Sequence, residues 1–191
     1  MSADDRRLIA DCLQGDSAAF GELVRRYQDR LYNTVLRLVD NAEDAQDVVQ
    51  DAFLQAYQAL GGFKGDSQFF TWLYRIAINT AISLKRKQRV TLRMHGSREE
   101  GGAVEPVDPS EFTQPGYALE RAEQERKIQQ ALSRLSAEHR AVLIMKDMEG
   151  QKYEVMAEVL EVPIGTIRSR LHRARLELRE ILKQQDEESK P

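Results

Sequence analysis

Apolar residues recur every three or four positions along most of this chain, which is the spacing of one buried helix face. After Asp16, a favourable helix N-cap, this period continues through residue 38. A second run between Ala42 and Leu60 repeats it and ends at a pair of glycines, and a third extends from about Gln68 to Lys87. No segment alternates apolar and polar residues as a strand does. The first half therefore predicts a helical bundle.

The second half carries the same helical period in shorter pieces. Helices are predicted from Leu119 to Leu135, from a capping Ser136 to a stop at Gly150, and from about Lys152 to Leu160. The sequence Glu161-Val162-Pro163 then interrupts the pattern, and a final helix rich in basic residues follows it. Two helices, a tight turn and a basic last helix are typical of a helix-turn-helix unit.

Residues 96–118 separate these two halves. Three of the five prolines and four of the eleven glycines fall here, and the segment has no apolar period. We therefore expect a flexible linker. The predicted fold class is all-α, with two small helical domains: an N-terminal helical bundle (residues 1–95) and a C-terminal helix-turn-helix domain (residues 119–184), followed by a tail (residues 185–191).

Charged residues are unevenly distributed along the chain, and this adds information about possible partners. The formal net charge is −3. However, residues 40–51 contain five acids and no base, residues 85–93 contain five bases and no acid, and five arginines and one histidine lie within residues 165–182. Segments of opposite sign predict different partners for different surfaces.

The composition also argues against several kinds of protein. No apolar run approaches the roughly 18 residues that would span a bilayer, and the acidic N-terminus has no signal-peptide apolar region. We expect a cytoplasmic protein without membrane insertion. The single cysteine, Cys12, cannot form an internal disulfide, and the spacing of Cys12 and the three histidines is not that of a zinc site. We expect no metal and no cofactor.

The last predicted helix has two unlike faces. At 100° per residue, Ile167, Leu171 and Ala174 share an apolar stripe, and the opposite side is cationic. A helix fits the DNA major groove, where the first turns of a recognition helix reach the base edges. A merely solvated face would not account for the preceding helix and turn. The candidate DNA contacts are Thr166, Arg168, Ser169, His172, Arg173 and Arg175.

Two long segments resemble regions of one protein family. DMEGQKYEVMAEVLEVPIGTIRSRLHRAR is similar to the region that binds the minus-thirty-five promoter element in extracytoplasmic-function (ECF) sigma factors, and FKGDSQFFTWLYRIAINTAISLKRK is similar to their minus-ten region. Three places differ from the usual family pattern. Lys152 stands where the family usually has a capping Ser or Thr, and Val155 and Met156 stand where Glu-Ile is common. Glu161 stands where the turn is often Gly. The resemblance covers almost the whole chain. It implies a bacterial transcription initiation factor that binds core RNA polymerase and promoter DNA, helps to melt the DNA, and is not an enzyme.

Aromatic and basic residues are concentrated in and after the loop between the second and third predicted helices. Phe69 and Trp72 lie on the apolar stripe and are expected in the core, whereas Phe63 lies in a glycine-rich loop and is a candidate for base stacking. Asn79 lies in a polar stripe on the third helix and needs hydrogen-bond partners. The resemblance implies that this loop and helix capture a base flipped out of the minus-ten element. The candidate residues are Phe63, Lys64, Gly65, Asp66, Ser67, Arg75, Asn79, Ser83, Lys85 and Arg86.

The helix from Ala42 to Leu60 carries acids and one apolar side chain on its solvent side. The acids alone fit a solvated face, but an apolar residue surrounded by acids is also typical of a protein-binding patch. The resemblance implies that this face docks on the β′ clamp helices of core RNA polymerase, with the β subunit as a further partner. Family members are often held inactive by an anti-sigma factor, so we expect one here. The candidate polymerase-binding residues are Asp44, Asp47, Gln50, Asp51 and Leu54.

The length of the predicted linker bears on how DNA is bound. Fully extended, 23 residues span about 75 Å, which is close to two turns of duplex, roughly 70 Å. A relaxed linker is much shorter, at about 25 Å. Both domains can therefore reach separated elements when a scaffold stretches the linker, and we expect the free protein to bind DNA weakly.

Two other classes of protein remain as alternatives. An autonomous helix-turn-helix regulator would use its N-terminal bundle to sense a ligand or to dimerise, and the segment FKGDSQFFTWLYRIAIN and the lack of an obvious dimer helix argue against it. A helical enzyme is disfavoured because the chain has neither a nucleophile elbow nor a metal pair.

Overall fold

The computed structural model describes residues 2–95 and 115–188, and within these ranges the chain contains helices and no strand. The all-α fold class is therefore confirmed. A 3₁₀ turn at Leu60–Gly62 and a π-helical turn at Ile144–Met148 complete the regular structure. The α-helices are α1 (Ala3–Leu13), α2 (Ser17–Val39), α3 (Ala42–Ala59), α4 (Phe69–His95), α5 (Pro115–Ser133), α6 (Ala137–Leu143), α7 (Tyr153–Leu160) and α8 (Ile164–Glu188).

Side-chain caps fix the start of several helices. The Asp16 carboxylate accepts a hydrogen bond from the Ala18 amide at 2.9 Å, and the Ser136 hydroxyl accepts one from the His139 amide at 3.2 Å. Both caps agree with the sequence prediction, and each satisfies a backbone N–H group that the helix itself leaves unpaired.

Several helix bounds differ from the sequence prediction. Helix α1 was not predicted, yet its inner face is packed into the core through the buried side chains of Leu8 and Ile9. Helix α4 continues to His95, well past the predicted end at Lys87. Helix α5 begins at Pro115, inside the predicted linker, and α8 continues to Glu188, inside the predicted tail. Residues 96–114, the rest of that linker, lie outside the described residues.

The N-terminal core lies between α2, α3 and α4. Leu31 and Leu38 of α2 are fully buried, as are Ala52 of α3 and Leu73 of α4. Small residues such as Ala52 allow neighbouring helices to approach closely, and side chains from the other helices fill the space between them. This packing holds α3 and α4 side by side, with the outer face of α3 available for a partner and part of α4 packed against α6 and α7.

The C-terminal domain packs α6, α7 and α8 around a second set of apolar residues. Met145, Met156 and Ile167 are fully buried there. The two sets form one continuous apolar cluster, because α6 and α7 pack against α4 of the N-terminal domain. Two helical domains joined by a flexible linker are predicted from the sequence, but this contact between the domains is not.

Candidate nucleic-acid and protein interfaces

The turn before α8 sets the direction in which that helix leaves α7. Glu161 caps α7 with a left-handed backbone (φ 54°, ψ 41°), a conformation that glycine adopts more easily than glutamate. The Pro163 carbonyl oxygen then accepts hydrogen bonds from the amides of Thr166 (2.8 Å) and Ile167 (3.1 Å), which starts α8. At the other end of α7, Lys152 makes no side-chain cap.

Helix α8 has the two faces that the sequence predicts. Ile167, Leu171 and Ala174 are buried against α6 and α7. The side chains of Arg168, Ser169, His172 and Arg173 are exposed, and Thr166 is half-buried. The first turns of α8 therefore present a polar, mostly cationic face of the kind that enters a major groove.

Arg175 is the cation of this set that forms an ion pair among the described residues, whereas Arg168 lies over the Tyr153 ring at 5.8 Å. The Nε and Nη2 atoms of Arg175 donate to the Asp147 carboxylate at 3.0 Å and 2.5 Å. That hydrogen bond raises the pKa of the Arg175 guanidinium above its ordinary value. The side chain keeps its charge but is oriented toward Asp147, in the turn before α7.

The glycine-rich loop before α4 holds an aromatic cluster. The Phe63 ring lies 4.9 Å from the Trp72 ring and 6.0 Å from the Phe69 ring, measured between centroids, and Phe69 is fully buried. Phe63 is half-buried against the core, so the expectation that it stands apart from the core is wrong. Lys64, Gly65 and Asp66 next to it are exposed and Ser67 is half-buried. Gly65 has a φ of 77°, which suits glycine.

The polar stripe of α4 lines a shallow groove shared with α3. The Ser83 hydroxyl donates to the Asn79 carbonyl oxygen at 2.8 Å, as is common for serine inside a helix. Lys85 lies further along α4, with its Nζ atom 3.4 Å from the Asp40 carboxylate. The residues that line the groove are Gln55, Arg75, Ile76, Asn79, Thr80 and Ser83.

Three predicted DNA contacts on α4 are engaged by the C-terminal domain. Asn79 donates to the Val159 carbonyl oxygen at 3.4 Å, Arg75 lies 3.8 Å from the Glu161 carboxylate, and Arg86 Nε donates to Glu138 at 2.5 Å. Sequence reasoning could not anticipate these contacts, because the partners lie more than fifty positions away along the chain.

The acidic face of α3 is largely exposed. Asp47, Gln50 and Asp51 are exposed, and Leu54 among them is 53% exposed, whereas Asp44 accepts a hydrogen bond from Gln88 of α4 at 2.8 Å. An exposed leucine surrounded by carboxylates fits a protein partner that has apolar and basic groups.

Beside Leu54 lies an aromatic residue, Tyr57, whose place in the apolar period of α3 predicts burial. Tyr57 is 45% exposed, and its ring packs edge-on against Phe20 with 5.0 Å between centroids. Because Tyr57 falls on the apolar period of α3, the sequence pattern alone could not show that it is exposed. The open groove next to it is lined by Ser17, Phe20, Gln50, Phe53, Leu54 and Tyr57.

The described residues contain neither a membrane-spanning helix nor a metal-binding cluster. No helix in residues 2–95 or 115–188 is long and apolar enough to cross a membrane. Over the same part of the chain, no group of three or more His, Cys, Asp or Glu side chains is arranged to hold a metal ion.

The sequence matches two family profiles in chain order. Sigma-70 region 2 matches residues 23–91, and sigma-70 region 4 matches residues 125–178. RNA polymerase sigma-H factor of Pseudomonas aeruginosa is 40% identical over 181 residues, which cover 90% of each chain. ECF RNA polymerase sigma-E factor of Escherichia coli is 36% identical over 180 residues, again covering 90% of each chain.

Solved structures agree with these matches. The Bartonella quintana sigma factor RpoE, solved in complex with the anti-sigma factor NepR, superposes with a TM-score of 0.67 at 28% identity, covering 86% of this chain and 96% of that chain. CnrH, solved in complex with the cytosolic domain of CnrY, gives a TM-score of 0.62 at 28% identity, with coverage of 94% and 97%.

Proposed function

The chain belongs to the ECF group of sigma-70 factors, which bind core RNA polymerase and direct it to promoters, and we propose how its two domains divide this task. The N-terminal domain (residues 1–95) docks on the polymerase and recognises the minus-ten element. The C-terminal domain (residues 119–184) recognises the minus-thirty-five element. The protein is not an enzyme, since promoter recognition needs binding energy and no bond chemistry.

The observation that supports this division most strongly is the separation of charge between the two domains. The exposed Arg168, His172 and Arg173 of α8 suit phosphate and base edges. The exposed Asp47 and Asp51 of α3 repel phosphate and suit a basic protein surface. One chain therefore offers a DNA-binding face and a face that DNA would avoid, as a factor bridging polymerase and promoter requires.

We propose that α4 and the loop before it hold the opened DNA strand of the minus-ten element. The groove of Arg75, Asn79 and Ser83 offers donors and acceptors for a base edge, and the exposed Lys64 suits the DNA backbone, whereas Lys85 would have to leave the Asp40 carboxylate to contact it. Flipping a base costs a few kcal/mol of stacking and pairing, which such contacts can offset. Phe63 has a supporting role in this scheme, because its ring packs against Trp72 and shapes the loop.

In this proposal the acidic face of α3 binds the β′ subunit of the polymerase, and the β subunit is a second partner. The contact residues are Asp44, Asp47, Gln50, Asp51 and Leu54. The protein acts in the cytoplasm, where polymerase and chromosome meet. We also propose an anti-sigma factor as a regulator, supported by the complex in which the similar sigma factor RpoE was solved with the anti-sigma factor NepR.

A gel-shift experiment separates this proposal from an autonomous regulator. Sheared genomic DNA of the source organism is incubated with the protein alone, with core polymerase alone and with both. Specific retention of a subset of fragments only by the mixture is the expected result, because the free protein offers few DNA contacts. Tight, specific retention by the protein alone would favour the regulator instead.

A further inference from the structure

We propose that Asp5 of α1 is a positioning residue for the minus-ten loop (residues 63–68), because it holds Tyr27 of α2 against the aromatic side chains that fix this loop. The inference rests on the proposed role of the loop in holding an opened DNA strand. It adds α1, which lies about sixty positions earlier in the chain and offers no DNA-binding face of its own in the proposed scheme, to the parts of the protein that strand opening requires.

Asp5 is a buried carboxylate in the first turn of α1. Its exposed fraction is only 2%, although aspartate is seldom fully buried unless it is paired. One carboxylate oxygen accepts a hydrogen bond from Arg26 Nη1 at 2.7 Å, and the other accepts one from the Tyr27 hydroxyl at 2.8 Å. Both donors belong to the same turn of α2, so Asp5 fixes α1 to that turn. Removing one partner of such a buried charge is costly, because the other is left desolvated.

Tyr27 continues this contact toward α4. Its ring lies 5.9 Å from the Phe69 ring and 5.3 Å from the Phe70 ring, measured between centroids. These are the first two residues of α4, directly after the minus-ten loop. Burial, together with the hydrogen bond to Asp5, raises the pKa of the Tyr27 phenol, so the hydroxyl stays protonated and keeps donating. The Tyr27 ring cannot leave the start of α4 without breaking that hydrogen bond.

Ring contacts extend from Phe69 into the minus-ten loop itself. Phe69 is fully buried, and its ring lies 6.0 Å from the Phe63 ring and 5.9 Å from the Trp72 ring. Phe63 in turn lies 4.9 Å from Trp72. Aromatic pairs at these distances prefer definite relative orientations, in addition to the area that they bury. A continuous series of contacts therefore joins α1 to the minus-ten loop.

A second side chain of α2 contacts the same end of α4. The guanidinium carbon of Arg30 lies 4.0 Å from the centroid of the Phe70 ring, which is a cation–π distance. Arg30 and Tyr27 are three positions apart on α2 and therefore share one face of that helix. Both side chains contact Phe70, so α2 fixes the start of α4 once Asp5 has fixed α2.

Base capture explains why the minus-ten loop needs support from a distance. A functional constellation must be held within about 0.5 Å of its working geometry, and a misplacement of about 1 Å can cost about a hundredfold in rate. The loop is rich in glycine and largely exposed, and Gly65 has a φ of 77°, so its own sequence leaves its backbone with much freedom. The rings beneath the loop, which Asp5 holds through Tyr27, restrict that freedom.

The first test measures the aromatic cluster in the free, full-length protein. Trp72 is the only tryptophan of the chain, so intrinsic fluorescence reports on this cluster alone. Tyr27→Phe keeps the ring and removes the hydroxyl, and Asp5→Asn keeps the size of the side chain and removes the charge. We expect acrylamide to quench Trp72 about twofold more efficiently in both variants, because the start of α4 opens locally more often. Circular dichroism checks that each variant keeps its helix content.

The second test separates positioning from stability in the complex with core polymerase. Run-off transcription is measured on a promoter that the wild-type complex uses, and on the same promoter with a mismatched minus-ten element. Mismatched bases cost the least to flip, so a poorly placed loop matters less there. We expect Tyr27→Phe and Asp5→Asn to lose about tenfold on the paired promoter and less than about twofold on the mismatched one.

Two control variants isolate the buried link. Asp4→Asn makes the same chemical change one position earlier, at an exposed carboxylate that lies 3.7 Å from Arg26. Val35→Ala leaves a cavity at a fully buried position of α2, about two turns beyond Tyr27, and lowers stability without removing the Asp5 link. Urea unfolding measures the stability of every variant. Both controls should show wild-type quenching of Trp72 and the wild-type ratio between the two promoters.

Three results would overturn the proposal: unchanged quenching of Trp72 in both variants, equal losses on the paired and mismatched promoters, or the same pattern of losses in Val35→Ala. If the wild-type protein with core polymerase transcribes from neither promoter, the proposed function itself is contradicted. The quenching experiment needs no polymerase, so the two failures are distinguishable.

Discussion

The side-chain amide of Asn79 on α4 donates a hydrogen bond to the backbone carbonyl oxygen of Val159 at the end of α7, at 3.4 Å. An asparagine in a polar groove thus has a partner that a DNA base would have to replace. The bond is long, and a carbonyl oxygen is the kind of acceptor that a base edge also offers.

Replacing Asn79 tests the role of this groove in melting. Asn79→Ala should impair strand opening more than docking on duplex DNA, because the amide contacts a base only after it leaves the stack. Permanganate footprinting of the polymerase complex measures opening, and a gel shift of the same complex measures docking. Val90→Ala, an exposed position on the same helix, serves as the control. Equal loss in both assays would remove Asn79 from the melting step.

Replacing Arg173 tests the recognition helix. Arg173→Ala should weaken binding to promoters with a minus-thirty-five element by about 1–3 kcal/mol, the usual value of a good contact to a base edge. Competition between promoters with wild-type and scrambled elements measures this loss. Arg179→Ala lies on the same helix beyond the first turns and should have little effect. An unchanged preference for the element would show that Arg173 does not contact bases.

Reversing charge on α3 tests the polymerase contact. The double change Asp47→Lys and Asp51→Lys should lower the affinity for core polymerase, because like charges placed across an interface cost several kcal/mol. Co-purification with tagged core polymerase at several salt concentrations measures the effect. The pair Glu187→Lys and Glu188→Lys alters net charge equally at the end of α8. If both pairs co-purify alike, the acidic face is only solvated.

Replacing Glu161, in the turn between α7 and α8, with glycine should stabilise the protein. Glu161 adopts a left-handed backbone, which costs a non-glycine residue about 1–2 kcal/mol. Glu161→Gly relieves this strain but gives up the 3.8 Å ion pair with Arg75, whose value is small because both side chains are more than one-third exposed. We expect a net gain of about 1 kcal/mol in the free energy of unfolding, measured in urea. Glu158→Gly, within α7, should instead lose about 1 kcal/mol. A loss at both positions would contradict the strain at Glu161.

The sequence predicted the parts of the fold that depend on local pattern. The period of apolar residues identified α2, α3 and α8, and the short polar side chains of Asp16 and Ser136 identified two helix starts. The two faces of α8 followed from its spacing in the same way. These features are encoded within a few residues of one another, so a single sequence is enough to predict them.

The features that the sequence did not predict depend on partners far away along the chain. Nothing near Arg140 indicates that its guanidinium pairs with Asp40, one hundred positions earlier. Tyr57 has the spacing of a core residue and is nevertheless half exposed, because no helix of the described chain covers that side of α3. Phe63 is in a glycine-rich loop, yet the aromatic side chains of α4 draw it against the core.

A sigma factor must give core polymerase a new choice of start sites. Run-off transcription on a library of genomic fragments, with core polymerase alone and with the added chain, tests this most directly. The expected result is a small set of new transcripts that share two upstream elements about two helical turns apart. Identical transcripts with and without the chain would contradict the account.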